Sequence, residues 1–189
     1  MNLSLTEEQV LIQDTARDFS QSVLAPAAEK VENDRALFLR NLESLSELGF
    51  MGLNVSSKYG GTEAGVIAFS LAITEVAKSC ASTAVTLSVS NMVAEIIEAI
   101  GNEEQKTQYI PKLCDGTYAA AGFCLTEAGA GSDPAAMRTS ANRDGDEWVL
   151  NGTKLYITSA EYAGVFVVWA VTDKAARKGK GISCFIVEA

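Results

Sequence analysis

The chain has no histidine, and that absence removes whole classes of chemistry. Without an imidazole, a Ser-His or Cys-His nucleophile is impossible and a zinc site is disfavoured. The four cysteines, Cys80, Cys114, Cys124 and Cys184, include no CxxC pair, so they read as small buried hydrophobes of a reducing compartment. Proton chemistry is left to carboxylates, Tyr, Lys or groups outside these residues. The N-terminal stretch MNLSLTEEQVLIQDTARDF lacks a leading basic cluster and carries Glu7, Glu8 and Asp14, unlike a secretory signal or a transit peptide. No uninterrupted apolar run reaches the ~18 residues of a membrane span. A net charge of −9, with no basic stripe to offset it, would repel a phosphate backbone or an anionic bilayer, so neither nucleic acid nor membrane is expected as a partner.

What is present is globular. Of 189 residues 48% are hydrophobic, enough for a core and for one or two domains. From Leu5 to about Asp115 the apolar period is helical. Thr6 and Gln9 form a capping box, after which Ile12, Ala16, Phe19 and Val23 share a face until Pro26, where the helix is expected to end. Further helices are predicted from about Arg35 to Gly49, Val66 to Lys78, Thr83 to Ile100, and from the Asn102/Gln105 cap to Asp115. After Gly116 the period falls to two. Strands are predicted at Ala119–Leu125, Met137–Asn142, Glu147–Leu150, Lys154–Thr158, Gly164–Val171 and Ile182–Val187, with Asn151-Gly152 as a two-residue hairpin turn. The fold class is therefore α+β: an all-α bundle over residues 1–116, then an antiparallel β domain over 117–189. Because the chain stops directly after a strand, which would leave an edge unprotected, that β domain is read as incomplete and the chain as truncated.

The stretch FCLTEAGAGSD, Phe123 to Asp133, buries almost no apolar area at Ala128, Gly129, Ala130 and Gly131. Successive backbone N–H groups flanked by glycines can curl into an anion-holding nest, to which a Ser or Thr hydroxyl adds a donor. The Gly-Lys-Ser/Thr ending of a P-loop is absent, and so is GxGxxG. On these residues alone, a phosphate-holding loop and an ordinary flexible connection stand level.

FCLTEAGAGSD followed by NGTKLYIT resembles the paired flavin-binding segments of the acyl-CoA dehydrogenases. LTEEQVLIQDTARDF, ELGFMGLNVSSKYGG, GNEEQKTQYIPKLCDG and GISCFIVEA extend the resemblance over essentially the whole chain. It implies FAD as cofactor, with Phe123, Leu125 and Thr126 beside the isoalloxazine ring and their backbone N–H groups on its pyrimidine edge. Gly131 belongs to the same loop, and Ser132 would serve the FAD pyrophosphate or the acyl-CoA substrate. Tyr156, Ile157 and Thr158 would pack on another part of the ring, the Thr158 hydroxyl near flavin N5. The family commonly has Pro at the position of Ala128, Trp at that of Tyr156 and often Asn at that of Ser159. For Tyr156 and Thr158, plain strand alternation is the alternative reading.

The reaction implied is α,β-dehydrogenation of an acyl-CoA, its base a Glu in a C-terminal helical domain absent from this chain. No catalytic residue is therefore expected within it, and Glu127 is expected to support loop geometry instead. The small, hydroxylated turn STAVTLSVSN resembles short-chain members, although such residues equally permit close helix packing. By the same resemblance the complete protein would be a homotetramer passing electrons to an electron-transfer flavoprotein, cytoplasmic in a bacterium or in a mitochondrial matrix. A non-catalytic interaction module and an acyl-CoA oxidase are the alternatives.

Overall fold

A computed structural model describes residues 4–189, which divide into two compact units, the first ending at Ala120 and the second spanning Ala121–Ala189. In the first unit, α1 (Glu7–Phe19) opens on the expected capping box: Thr6 Oγ1 accepts the Gln9 N–H at 3.2 Å and Gln9 Oε1 accepts the Thr6 N–H at 3.0 Å. Helical backbone then continues through a π-turn, Ser20–Leu24, into the short α2 (Ala25–Ala27). Pro26 therefore does not stop the helix. It lies directly after the π-turn, in which the Ala25 N–H reaches back to Ser20 O.

Helices α3 (Arg35–Glu47), α4 (Gly65–Ser79), α5 (Ala81–Ile100) and α6 (Glu103–Cys114) follow, α3 giving way to Gly49 at φ 77°. Asn91 ties α5 to the turn after α3: its Oδ1 accepts the Leu53 N–H at 2.8 Å, and its Nδ2 donates to Phe50 O at 2.9 Å. Between α1 and α4, the buried Glu75 carboxylate accepts from Gln13, Arg17 and Lys78. Helix α5 proves long and apolar enough to cross a membrane by composition, which a search for unbroken apolar runs overlooks. Half of its most apolar window is buried within the unit. Thr83, Thr86 and Ser90 are among its buried residues.

The second unit is a five-stranded sheet: β1 (Ala120–Cys124), β2 (Ser140–Asp144), β3 (Glu147–Asn151), β4 (Ala163–Val171) and β5 (Ile182–Glu188). The order is β1-β4-β2-β3, with β5 on β4. Pairing of β2 with β3 and of β4 with β5 is antiparallel, while β2 meets β4 in parallel at Ser140–Val171. The hairpin turn is Gly145-Asp146, with Gly145 at φ 60°, and not Asn151-Gly152. Asn151 still belongs to β3, and Lys154–Thr158 is not a strand. Gly152 instead runs close past the β2 approach: a Cβ there would stand 2.7 Å from Thr139 Cα.

Candidate functional site

Two segments outside the strands meet in the second unit, one leaving β1 at Leu125 and the other leaving β3 at Gly152. A backbone bond joins them, the Leu155 N–H donating to Thr126 O at 2.9 Å. Beside it lies an ion pair shielded from water. Lys154 Nζ donates to Glu127 Oε1 and to Leu125 O, both at 2.9 Å, and the two side chains are 8% and 9% exposed. Two peptide groups complete the carboxylate's shell: Arg138 N–H on Oε2 at 2.7 Å and Thr139 N–H on Oε1 at 2.9 Å. Burial would push the Glu127 pKa up, but hydrogen bonds from Thr139, Arg138 and Lys154 overcome it and hold the group at about 2. Thr139 acts through its N–H, since its buried hydroxyl makes no bond of ordinary geometry. Glu127 is thus a permanent anion already saturated with donors.

The loop does not form the nest that its glycines suggested. Glu127 and Ala130 exchange backbone bonds at 3.2 and 3.1 Å, so Ala128-Gly129 is a tight two-residue reversal. No residue from Thr126 to Asp133 takes a positive φ, which a nest requires. Gly129 and Gly131 have open space where a Cβ would stand, and Ser132 is exposed. On the other segment Tyr156 is 92% exposed at φ 57°, and Ser159 also takes a positive φ of 60°. Two non-glycine residues in the left-handed region within four positions mark a backbone shaped for something other than strand pairing. Ile157 is half-buried near the Gly122 backbone, and Thr158 is half-buried beside it in sequence.

Phe123 and Leu125 lead from these segments into an apolar groove of about 360 Å³, walled further by Pro134, Met137, Trp169 and Ile182. Phe123 meets the Trp169 indole edge-on at 6.3 Å, and the indole Nε1 is buried with no partner. A second hollow of about 210 Å³ shares Met137, Gly179 and Ile182 with the groove and is rimmed by Lys174, Arg177 and Lys178. Lys178, on this rim, pairs with Asp133.

The N-terminal domain model of acyl-CoA dehydrogenases matches residues 6–117, and the middle-domain model matches 122–189. The chain belongs to the acyl-CoA dehydrogenase family. Among curated acyl-CoA dehydrogenases, the mitochondrial short/branched chain specific enzyme of Bos taurus is 40% identical over 98% of this chain and 42% of its own length. Butyryl-CoA dehydrogenase from Megasphaera elsdenii superposes with a TM-score of 0.87 at 35% identity, covering 100% of this chain and 50% of that one. Glutaryl-CoA dehydrogenase from Mycobacterium smegmatis, solved in complex with FADH2, does so at 0.83 and 32% identity, over 97% and 46%. The chain therefore spans about half the length of the acyl-CoA dehydrogenases it matches.

Within this acyl-CoA dehydrogenase unit, Leu125, Thr126, Tyr156, Ile157 and Thr158 lie on the two segments that the Leu155–Thr126 bond brings together. Phe123 stands in the groove wall, and Gly131 and Ser132 lie on the exposed reach beyond the reversal. Sequence reasoning missed Lys154, Met137 and Trp169. For Lys154 a signal existed, a lone cation one residue before the apolar Leu155 in NGTKLYIT, but its partners are 27 and 29 residues away. Nothing local pointed to Trp169.

Proposed function

We propose that the protein carrying this chain is an FAD-dependent oxidoreductase that converts a short-chain acyl-CoA thioester to its 2-enoyl form. The observation that carries the reading is the joined pair of segments. They offer apolar walls at Phe123 and Leu125, a Thr126 N–H without an acceptor in the described chain, and a half-buried Thr158 two residues after the exposed Tyr156. That donor set suits a planar, partly polar heterocycle, and the open space at Gly129 and Gly131 admits a close neighbour. Bound FAD would supply the two-electron acceptor that no side chain provides.

The residues have separable tasks. Leu125 and Phe123 exclude water from one edge of the ring, and Thr126 N–H donates to its polar edge. Tyr156 covers the ring while the Thr158 hydroxyl donates near N5. Ser132 donates to the pyrophosphate or to the thioester ligand. The groove takes the slender arm of the thioester, and Lys174, Arg177 and Lys178 favour phosphates at its end. Removal of the α-proton needs a base whose pKa is raised toward neutrality. Glu127, held at about 2 and fully engaged, is unsuited, so we assign that step to a carboxylate outside this unit. By family resemblance we further propose an electron-transfer flavoprotein as acceptor, a homotetrameric assembly, and a bacterial cytoplasmic or mitochondrial matrix location.

The test is the visible spectrum of the intact protein with FAD, before and after anaerobic butyryl-CoA. Bound flavin that bleaches supports the reading. Flavin that stays unbound, or binds and never bleaches with any short acyl-CoA, refutes it.

A further inference from the structure

Lys154 presents a buried charge that the proposed reaction does not use. Its ammonium lies on Leu125 O, and that carbonyl shares a peptide unit with the Thr126 N–H. In a trans peptide the two groups point in opposite directions, so a cation on the oxygen fixes the plane and directs the N–H away from itself. It also draws electron density through the amide, which makes the N–H a stronger donor. The next peptide unit is pinned at both ends, Thr126 O by the Leu155 N–H and Glu127 N–H by Ala130 O. Of the four polar groups on these two successive units, three are bonded internally. The fourth, the Thr126 N–H, finds no acceptor in the described chain.

We propose that Lys154 is a positioning residue for the flavin: clamped by Glu127, it orients and polarises the Leu125–Thr126 peptide so that the Thr126 N–H is held ready for the cofactor. This role rests on the flavin reading above. Glu127 matters at one remove, because Arg138 and Thr139 N–H groups hold its carboxylate where it holds the ammonium. A merely structural pair would tie the two segments together and leave cofactor affinity unchanged once the unit is folded.

The experiment compares the intact protein with Lys154→Met and Lys154→Arg, measuring dissociation constants for oxidised and reduced FAD well below the melting temperature of each. The expected result for Lys154→Met is binding of oxidised FAD weaker by about tenfold, the scale of one charge-assisted hydrogen bond. Reduced FAD should weaken further, because negative charge on the ring relies more on a strong donor. Lys154→Arg, which keeps both charge and donors, should recover most of the loss. Lys154→Met that melts earlier yet binds both forms like the parent overturns the role.

If burial of an unpaired Glu127 prevents Lys154→Met from folding, the double variant Glu127→Gln/Lys154→Met removes both charges and keeps an acceptor for one of the two N–H groups. With its folding confirmed by circular dichroism, it should still bind FAD weakly, and parental affinity in it would equally overturn the proposal. A parent protein that fails to bind FAD sinks the flavin reading and this role together. Parental binding with unmoved variants sinks only the role of Lys154.

Discussion

Glu127 ties the site to acid stability through the sign of its titration. Its folded pKa of about 2 lies below its ordinary value of 4.5, so the folded state binds its proton less readily than the unfolded chain. The stabilisation is full above about 4.5 and fades as pH falls toward 2. We expect urea-unfolding curves recorded across that window to show a loss in the parent protein that is shallower in Glu127→Gln by the share of this one carboxylate, while Glu75, also held below the usual carboxylate range by Lys78, Arg17 and Gln13, still titrates in both. At neutral pH the same variant should be less stable by ~3 kcal/mol, the equivalent of the shift. A flat acid profile in the parent would show the carboxylate to be less engaged than its geometry indicates. Thr158 permits a kinetic prediction on the same scale. Thr158→Ala should slow flavin reduction in stopped-flow more than it weakens butyryl-CoA binding, because a donor at N5 acts mainly when charge arrives there. Equal losses in both would count against that role.

Among the elements, the passage from β3 to Lys154 separates two readings of Asn151-Gly152. A type I′ turn would tolerate little but glycine there because of backbone angle. The structure instead needs glycine for space, since a Cβ would stand 2.7 Å from Thr139 Cα, a backbone atom that cannot swing aside. Gly152→Ala should therefore destabilise the protein by about 2 kcal/mol and also loosen Glu127, whose carboxylate depends on the Thr139 N–H. A melting temperature within a degree or two of the parent would show that Thr139 can move. The same passage shows what could be read in advance. Both capping boxes, at Thr6/Gln9 and Asn102/Gln105, form as their spacing indicates, because each is closed within three residues. Gly49 ends its helix in the left-handed conformation for the same local reason. In the β unit the hairpin falls at Gly145-Asp146 and not at Asn151-Gly152, the stronger of the two local signals. What decides between them is long-range: Lys154 is drawn to Leu125 and Glu127, which takes the chain off a strand path. The two segments proposed to hold flavin were legible by resemblance, whereas the ion pair joining them is a tertiary contact with no period or spacing to announce it.

For the molecule as a whole, charge is distributed against its net sign. The chain carries −9 overall, yet residues 173–181 hold four cations, Lys174, Arg177, Lys178 and Lys180, against one carboxylate, Asp173. A local positive field within a negative surface attracts a small phosphorylated ligand more than it would a polyanion. We expect butyryl-CoA to bind more weakly as ionic strength rises, and Lys174→Gln/Arg177→Gln to flatten that dependence without altering FAD affinity. An unchanged salt dependence would place the phosphates elsewhere. The two tryptophans extend the reach of such titrations. Trp169 walls the groove with its Nε1 unbonded, and Trp148 lies 41% exposed on β3 with its ring edge-on to Phe185. In a Trp148→Phe background the remaining indole becomes an intrinsic fluorophore seated in the wall of the groove proposed for the acyl arm. Arrival of an acyl-CoA arm would change the polarity around it and shift its emission with no label attached, and a neighbouring flavin would quench it. The groove thus provides its own optical readout, able to follow substrate in the flavin-free protein, where absorbance is silent.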